Sequence, residues 1–186
     1  MGDTDEEKYW VLRSRDGDHA AFEALVREHQ QMVHSLTYRM TGSVDDCKDL
    51  AQETFVRAFQ QLDTFQGTAK FSSWLYRIAV NACLDWRRRE KRREQFLTNW
   101  AATQGGNPLQ SNSSGIDGQA SHDVQAALMK LPAKQRAAIV LTVYSEHTHA
   151  EAAKILNCSE ATVSWRIFAA RRKLKRLLRA KGGSNE

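Results

Sequence analysis

Six of the seven residues from 87 to 93 are basic, in the stretch CLDWRRREKRREQF that covers residues 83 to 96 and carries Trp86 just ahead of the run. Like charges at that density repel one another, so the run is either a solvated helix end or a face turned toward something strongly negative. A second concentration follows near the C-terminus, where Arg166, Arg171, Arg172, Lys173, Lys175, Arg176, Arg179 and Lys181 occur with no acidic residue among them. Guanidinium and ammonium groups so placed suit phosphate, since each contact with a nucleic-acid backbone releases counterions. Basic side chains near a helix C-terminus also complement the macrodipole, so part of the second run is structural. Other chemistries find little in the chain. Cys47, Cys83 and Cys158 are odd in number and widely spaced, and read as buried free thiols; Cys158 with His147 and His149 makes an incomplete metal set with no paired CxxC or HxxxH, and zinc is rejected. His29 and His34 lie along a core-bearing helix and read as packed or surface groups. No nucleophile has an adjacent base, and no glycine-rich phosphate loop is present, so neither an enzyme nor a cofactor is expected.

The bulk properties frame these residues. In 186 residues with 41% hydrophobic content and a mean hydropathy of −0.58, the net charge of +5 is moderate but segregated. Asp3, Asp5, Glu6 and Glu7 make the front acidic, and two separate basic patches point to an extended polyanion as partner. No apolar run approaches the ~18 residues of a membrane span, and MGDTDEEKYW lacks the basic-then-apolar order of a secretory signal, so a cytoplasmic protein without membrane insertion is expected.

Two prolines and dominant 3.6-residue periodicity imply an all-α chain. A short helix covers Glu6 to Arg15. Asp18 caps a longer one in which Phe22, Leu25, Val26, Met32, Val33, Leu36 and Met40 share a face that ends at Gly42. Ser43 and Asp46 open a third helix, with Val44, Cys47, Ala51, Phe55, Ala58 and Leu62 on one stripe and Asp49, Gln52, Glu53 and Arg57 on the other. Residues 63 to 70 break the pattern and form a loop. The fourth helix aligns Phe71, Trp74, Leu75, Ile78, Ala82 and Trp86, then enters the basic run. Between about 97 and 121 the chain turns rich in Gly, Ser, Asn and Gln; such a segment cannot bury enough apolar surface to offset chain entropy, so it is expected as a flexible linker between two domains.

The second domain opens with HDVQAALMKL, turning Val124, Ala127, Leu128 and Leu131 inward. Pro132 starts the next helix, which carries Ile139, Val140, Val143 and Tyr144. Thr148 and Glu151 form a capping box for a short helix, NCS makes a tight turn, and Ser159 caps the long final helix. A short helix, a three-residue turn and a longer helix, with Ala152 and Ala153 permitting close approach and Val163 and Ile167 filling the angle, is a helix-turn-helix arrangement.

Three strings, DLAQETFVRAFQQL, FSSWLYRIAVNACLDWRRR and LPAKQRAAIVL with HAEAAKILNCSEATVSWRIFAARRKL, together resemble the extracytoplasmic-function (ECF, group 4) sigma factors of bacterial RNA polymerase, over about residues 19 to 96 and 122 to 178. The resemblance implies two small helical domains: region 2 over residues 1–96, a flexible linker over 97–121, and region 4 over 122–186. It implies core RNA polymerase as partner, through the clamp coiled coil of the largest subunit and the flap of the second-largest, with Asp49, Gln52, Glu53 and Arg57 on the docking face. Promoter DNA is the second partner. For the minus-ten element, residues 64 to 70 are the expected pocket loop, with Thr64, Gln66, Lys70, Arg77 and Asn81 as strand contacts; Trp74 belongs to the core and Trp86 is undecided. The basic run, with Arg87, Arg88, Arg89, Lys91, Arg92 and Arg93, is expected on the phosphate backbone, where it supplies affinity and position more than sequence choice. For the minus-35 element the final helix would enter the major groove, offering Glu160, Thr162, Ser164, Trp165, Arg166, Phe168 and Arg171. Ser164 and Ala169 stand where the family commonly carries basic residues, and Trp165 where it often carries a small one, so the preferred promoter is not transferred from the family. An anti-sigma factor is implied as a further partner.

Two rival readings accompany this one. A helix-turn-helix regulator with an N-terminal sensing or dimerisation domain would leave the basic run and the DLAQETF face without partners. An enzyme on a helical scaffold lacks the residue sets described above.

Overall fold

The computed structural model describes residues 3–104 and 119–182. In chain order it contains α1 (Asp3–Arg15), α2 (His19–Thr41), α3 (Val44–Gln60), a 3-10 turn (Leu62–Thr64), α4 (Phe71–Gln104), α5 (Gln119–Met129), α6 (Ala133–Ile139), a π-helical turn (Val140–Tyr144), α7 (His149–Ile155) and α8 (Glu160–Gly182). Among the described residues there is no strand. Of the expected linker, residues 97–104 continue α4 as helix, residues 119–121 open α5, and residues 105–118 lie outside the described residues.

The helix boundaries follow local chemistry. The Asp18 carboxylate accepts from the backbone N–H groups of Ala20 and Ala21 at the start of α2, and Gly42 closes it in the left-handed region (φ 73°), where a side chain would be strained. Ser43 caps α3 through the Asp46 N–H. Thr148 and Glu151 close a reciprocal capping box on α7, and Ser159 Oγ accepts from the Thr162 N–H at the head of α8.

One apolar cluster lies between α2, α3 and the first half of α4, with Leu25, Val33, Ala51, Ala58, Leu62, Phe65, Phe71, Trp74, Leu75 and Ile78 buried together and Val11 of α1 added to them. Trp74 is in this core, as the periodicity predicts. Val44, placed on the buried stripe of α3 by its spacing, is instead exposed, while Leu50 and Thr54 are buried: α3 is covered from two sides and its inner face is wider than one stripe.

A second cluster joins the two halves of the chain. Leu36, Met40 and Leu50 with Tyr76, Ala79, Val80 and Cys83 of α4 pack on Leu128, Leu131, Ala137, Ala138, Val140, Leu141, Ala152 and Ile155. The helix α4 is therefore apolar on two faces, one toward each unit, and it is the shared wall. Polar groups fasten the contact. Arg136 is 2% exposed; its Nη1 donates to the Met40 carbonyl across the interface, and its Nη2 to the carbonyls of Met129 (2.9 Å) and Leu131 (3.2 Å). Gln125 Nε2 donates to the Tyr38 carbonyl at 3.1 Å, the Tyr76 and His147 rings meet edge to face at 4.6 Å, and the Arg39 guanidinium lies 4.4 Å from the Tyr144 ring centre. Val143 and Tyr144 are exposed although helical spacing turns them inward; the π-helical turn shifts the register, so Leu141 is buried instead.

Candidate nucleic-acid interface

Between α3 and α4 a polar cleft of about 480 Å³ is lined by Thr64, Arg77 and Asn81 together with Arg57, Gln61, Asp85 and Arg88, over the edges of Trp74 and Ile78. The positions 74, 77, 78, 81, 85 and 88 recur at spacings of three and four, so one face of α4 supplies most of the lining. Arg77, Asn81 and Arg88 are exposed, and the aromatic and aliphatic carbons below them offer an apolar floor. Amide, hydroxyl and guanidinium groups above such a floor are what an unstacked base and its phosphate require.

The cleft opens into a groove of about 680 Å³ along the continuing helix, lined by Asp85, Arg88, Arg89, Lys91, Arg92 and Gln95. Asp85 and Arg88 belong to both, so the basic face is continuous with the cleft. Arg87 lines neither the cleft nor the groove: it is half-buried and donates to Glu94 at 3.1 Å. Lys70 lies on the far side of the 64–70 loop, in a separate recess of about 420 Å³ shared with Trp10, Glu28, Phe65 and Gly67. Gln66 is exposed on the loop itself.

The loop is held from α1. Arg15 donates from Nε and Nη2 to the Leu62 carbonyl (3.3 and 3.2 Å) and from Nη2 to the Phe65 carbonyl, while the Phe65 ring packs edge-on against Phe71 at 5.4 Å. Sequence reasoning missed Arg15, because backbone carbonyls some fifty positions away leave no mark in a sequence. It also missed Asp85 and Gln61, whose only signal is their helical spacing from Asn81, Arg88 and Arg57.

On α3, Asp49 and Gln52 are exposed, whereas Glu53 and Arg57 are half-buried and paired with each other. Beside them, between α2 and α3, an apolar groove of about 520 Å³ is lined by Phe22, Val26, Phe55, Val56 and Phe59, with Gln52, Lys48 and His34 at its rim.

In the second unit α7 and α8 form the helix-turn-helix, with Ala152, Ala153, Val163 and Ile167 buried where they cross. Trp165 and Phe168 are exposed by 62% and 65%, an unusual presentation of two large aromatics on one helix face. Glu160 and Arg171 are exposed with them. Three of the expected contacts are engaged within the protein: Thr162 Oγ1 pairs with the cap Ser159 at 2.8 Å, Ser164 Oγ with His149 Nδ1 at 2.9 Å, and half-buried Arg166 reaches Cys158 Sγ at 3.4 Å. Among the described residues no group of three His, Cys, Asp or Glu side chains could hold a metal ion, and no helix is long and apolar enough to cross a membrane.

Comparison with known proteins places both halves. The Sigma-70 region 2 model matches residues 25–93 and the Sigma-70 region 4 model residues 121–174. Among curated proteins, the chain is similar to the ECF RNA polymerase sigma factor SigW of Bacillus subtilis, 35% identical over 178 residues that cover 91% of this chain and 95% of SigW. It is also similar to the ECF RNA polymerase sigma-E factor of Escherichia coli, 34% identical over 172 residues, covering 87% and 88% of the two chains. Among solved structures, CnrH in complex with the cytosolic domain of CnrY matches with a TM-score of 0.66 and 29% identity over 94% of this chain and 98% of CnrH. The sigma factor RpoE of Bartonella quintana, in complex with the anti-sigma factor NepR, shares the fold with a TM-score of 0.67 at 24% identity, over 85% of this chain and 96% of RpoE.

Proposed function

The chain belongs to the ECF sigma factors, the promoter-recognition subunits of bacterial RNA polymerase, and from that premise we propose how its surfaces divide the work. Residues 1–96 act as region 2, 97–121 as the linker and 122–186 as region 4. The reading rests on one observation: Thr64, Arg77, Asn81 and Arg88 meet in a single polar cleft that continues into the basic groove of α4. There the minus-ten strand is held with a base out of the stack. The apolar floor and the cleft's amide and hydroxyl groups receive the base, and Arg88, Arg89 and Arg92 take the phosphates. Arg87, which is half-buried and lines neither the cleft nor the groove, is not assigned to DNA.

Polymerase docks on α3 through Asp49, Gln52, Glu53 and Arg57, against a basic coiled coil of the largest subunit. The apolar groove beside Gln52 extends that surface, since a contiguous apolar patch with a polar rim is the usual form of a protein interface. Region 4 meets the polymerase flap and presents Trp165, Phe168, Glu160 and Arg171 to the minus-35 major groove; the two aromatics suit thymine methyl groups better than guanine edges. The two promoter elements lie roughly 80 Å apart at ~3.4 Å per base pair, well beyond a body whose radius of gyration is about 16 Å for this length. Reading both therefore requires α4 to part from α6 and α7. An anti-sigma factor, such as the one in the complex of the Bartonella quintana relative, would act on these same surfaces. The protein works in the cytoplasm with the polymerase, through binding energy alone.

The test is transcription initiation with purified core and R88Q/R89Q/R92Q. Strand opening, read by thymine oxidation around the start site, falls by at least tenfold while core affinity does not fall. Unchanged opening sinks the assignment of the α4 face to DNA.

A further inference from the structure

Five side chains of α3 and α4 form one ion network that joins the face assigned to polymerase with the face assigned to DNA. Glu53 pairs with Arg57 one turn along α3, and its second oxygen stands 3.6 Å from Arg89 Nη2. Asp85 accepts from Arg88 Nη2, and its other oxygen stands 3.6 Å from Arg57 Nη1. Two carboxylates thus serve three guanidiniums, and Arg57 is shared between the two carboxylates. The acidic members and Arg57 are 28–35% exposed, whereas Arg88 and Arg89 reach outward at 72% and 52%.

A guanidinium already facing a carboxylate is a poor phosphate ligand, because phosphate must displace the carboxylate and fewer counterions are released. A cation arriving at Glu53 reverses this in two places. Arg89 loses its carboxylate directly. Arg57, deprived of Glu53, turns fully to Asp85, which it already approaches, and Asp85 then gives up Arg88.

We propose that Glu53, Arg57 and Asp85 form an ion-pair exchange by which docking of a cationic polymerase surface on α3 releases Arg88 and Arg89 to DNA phosphate. The inference rests on the surfaces assigned above, and it makes DNA affinity a consequence of core docking. Asp85 enters as a positioning residue at the junction of cleft and groove; it touches DNA only through the arginines it holds.

The probe is a fluorescein-labelled oligothymidylate of about twelve nucleotides, titrated with the intact protein over a range of salt. In the free protein, E53Q and D85N each steepen the slope of log affinity against log salt by at least ~0.7, the value of one added phosphate contact on a single strand, and tighten binding several-fold at low salt. In an R88Q/R89Q background the same substitutions leave the slope unchanged. With core present, wild type and D85N converge. Equal slopes for wild type, E53Q and D85N overturn the proposal, as does a gain that persists without the two arginines, which would be general electrostatics. If R88Q/R89Q fails to flatten the slope of the core-bound protein, the assignment of those arginines to phosphate fails instead, and the outcomes are thereby separable.

Discussion

Replacing Arg136 with methionine isolates what holds the two units together. The guanidinium is buried and donates to three carbonyls, those of Met40, Met129 and Leu131, while its Nε has no partner. Hydrogen bonds from a cation contribute about 1.5–3 kcal/mol each, so roughly 4–9 kcal/mol of interaction is removed. Against this stands the cost of burying the charge. Burial first, and repulsion from Arg87 second, bring the Arg136 pKa from 12.5 down to about 10. At ~1.4 kcal/mol per tenfold change in proton affinity that fall corresponds to roughly 3 kcal/mol, which the methionine variant recovers. Methionine fills most of the volume, so the cavity contribution is small. The net expectation is a loss of about 3 kcal/mol, or a melting temperature lower by roughly 6–12 °C for a chain of this size. Calorimetry measures it directly. Because the Met40 bond crosses the interface, a donor–acceptor dye pair on α1 and α8 should also report a larger mean separation in the folded variant. A melting temperature within about 2 °C of wild type, or above it, would refute the reasoning, since the carbonyls would then have found other partners and the buried cation would contribute nothing net.

Two further outcomes follow from the same interface. Cys158 is partly exposed whereas Cys83 is buried in the shared core, its thiol pushed up to about 12 chiefly by that burial, so iodoacetamide at about pH 8 should alkylate Cys158 first. Mass spectrometry should find Cys83 labelled only on unfolding or on separation of the units; native Cys83 labelling as fast as Cys158 would contradict the packing. His147 packs on Tyr76 with its Nε2 unpartnered, and burial holds its pKa below the usual 6.5. The closed form thus prefers the neutral ring, binds fewer protons than the open one, and loses stability as pH falls through 6.5. Dye separation should rise between about pH 7.5 and pH 5.5, and H147Q should flatten that response; an equal response in H147Q would assign it to another group.

Much of the molecule is determined along the chain. The helices, their caps at Asp18, Ser43, Thr148 and Ser159, the helix-turn-helix and the run of cations all follow from spacings of three and four residues and from side chains that bond their own backbone nearby. These are one-dimensional interactions, and a sequence records them. The same periodicity puts Arg77, Asn81 and Arg88 on one side of α4, so the cleft was half visible. Other features depend on which elements meet. Tyr76, Ala79, Val80 and Cys83 make a second apolar stripe on α4, but nothing local says that it faces α6 and α7 rather than solvent or a partner. That choice buries Arg136 against a carbonyl ninety-six positions away, and the packing of α3 on α4 sets Glu53 beside Arg89. Backbone carbonyls are identical at every residue, and surface charges pair with whatever lies within a few ångströms. Their partners are therefore fixed only when the helices pack.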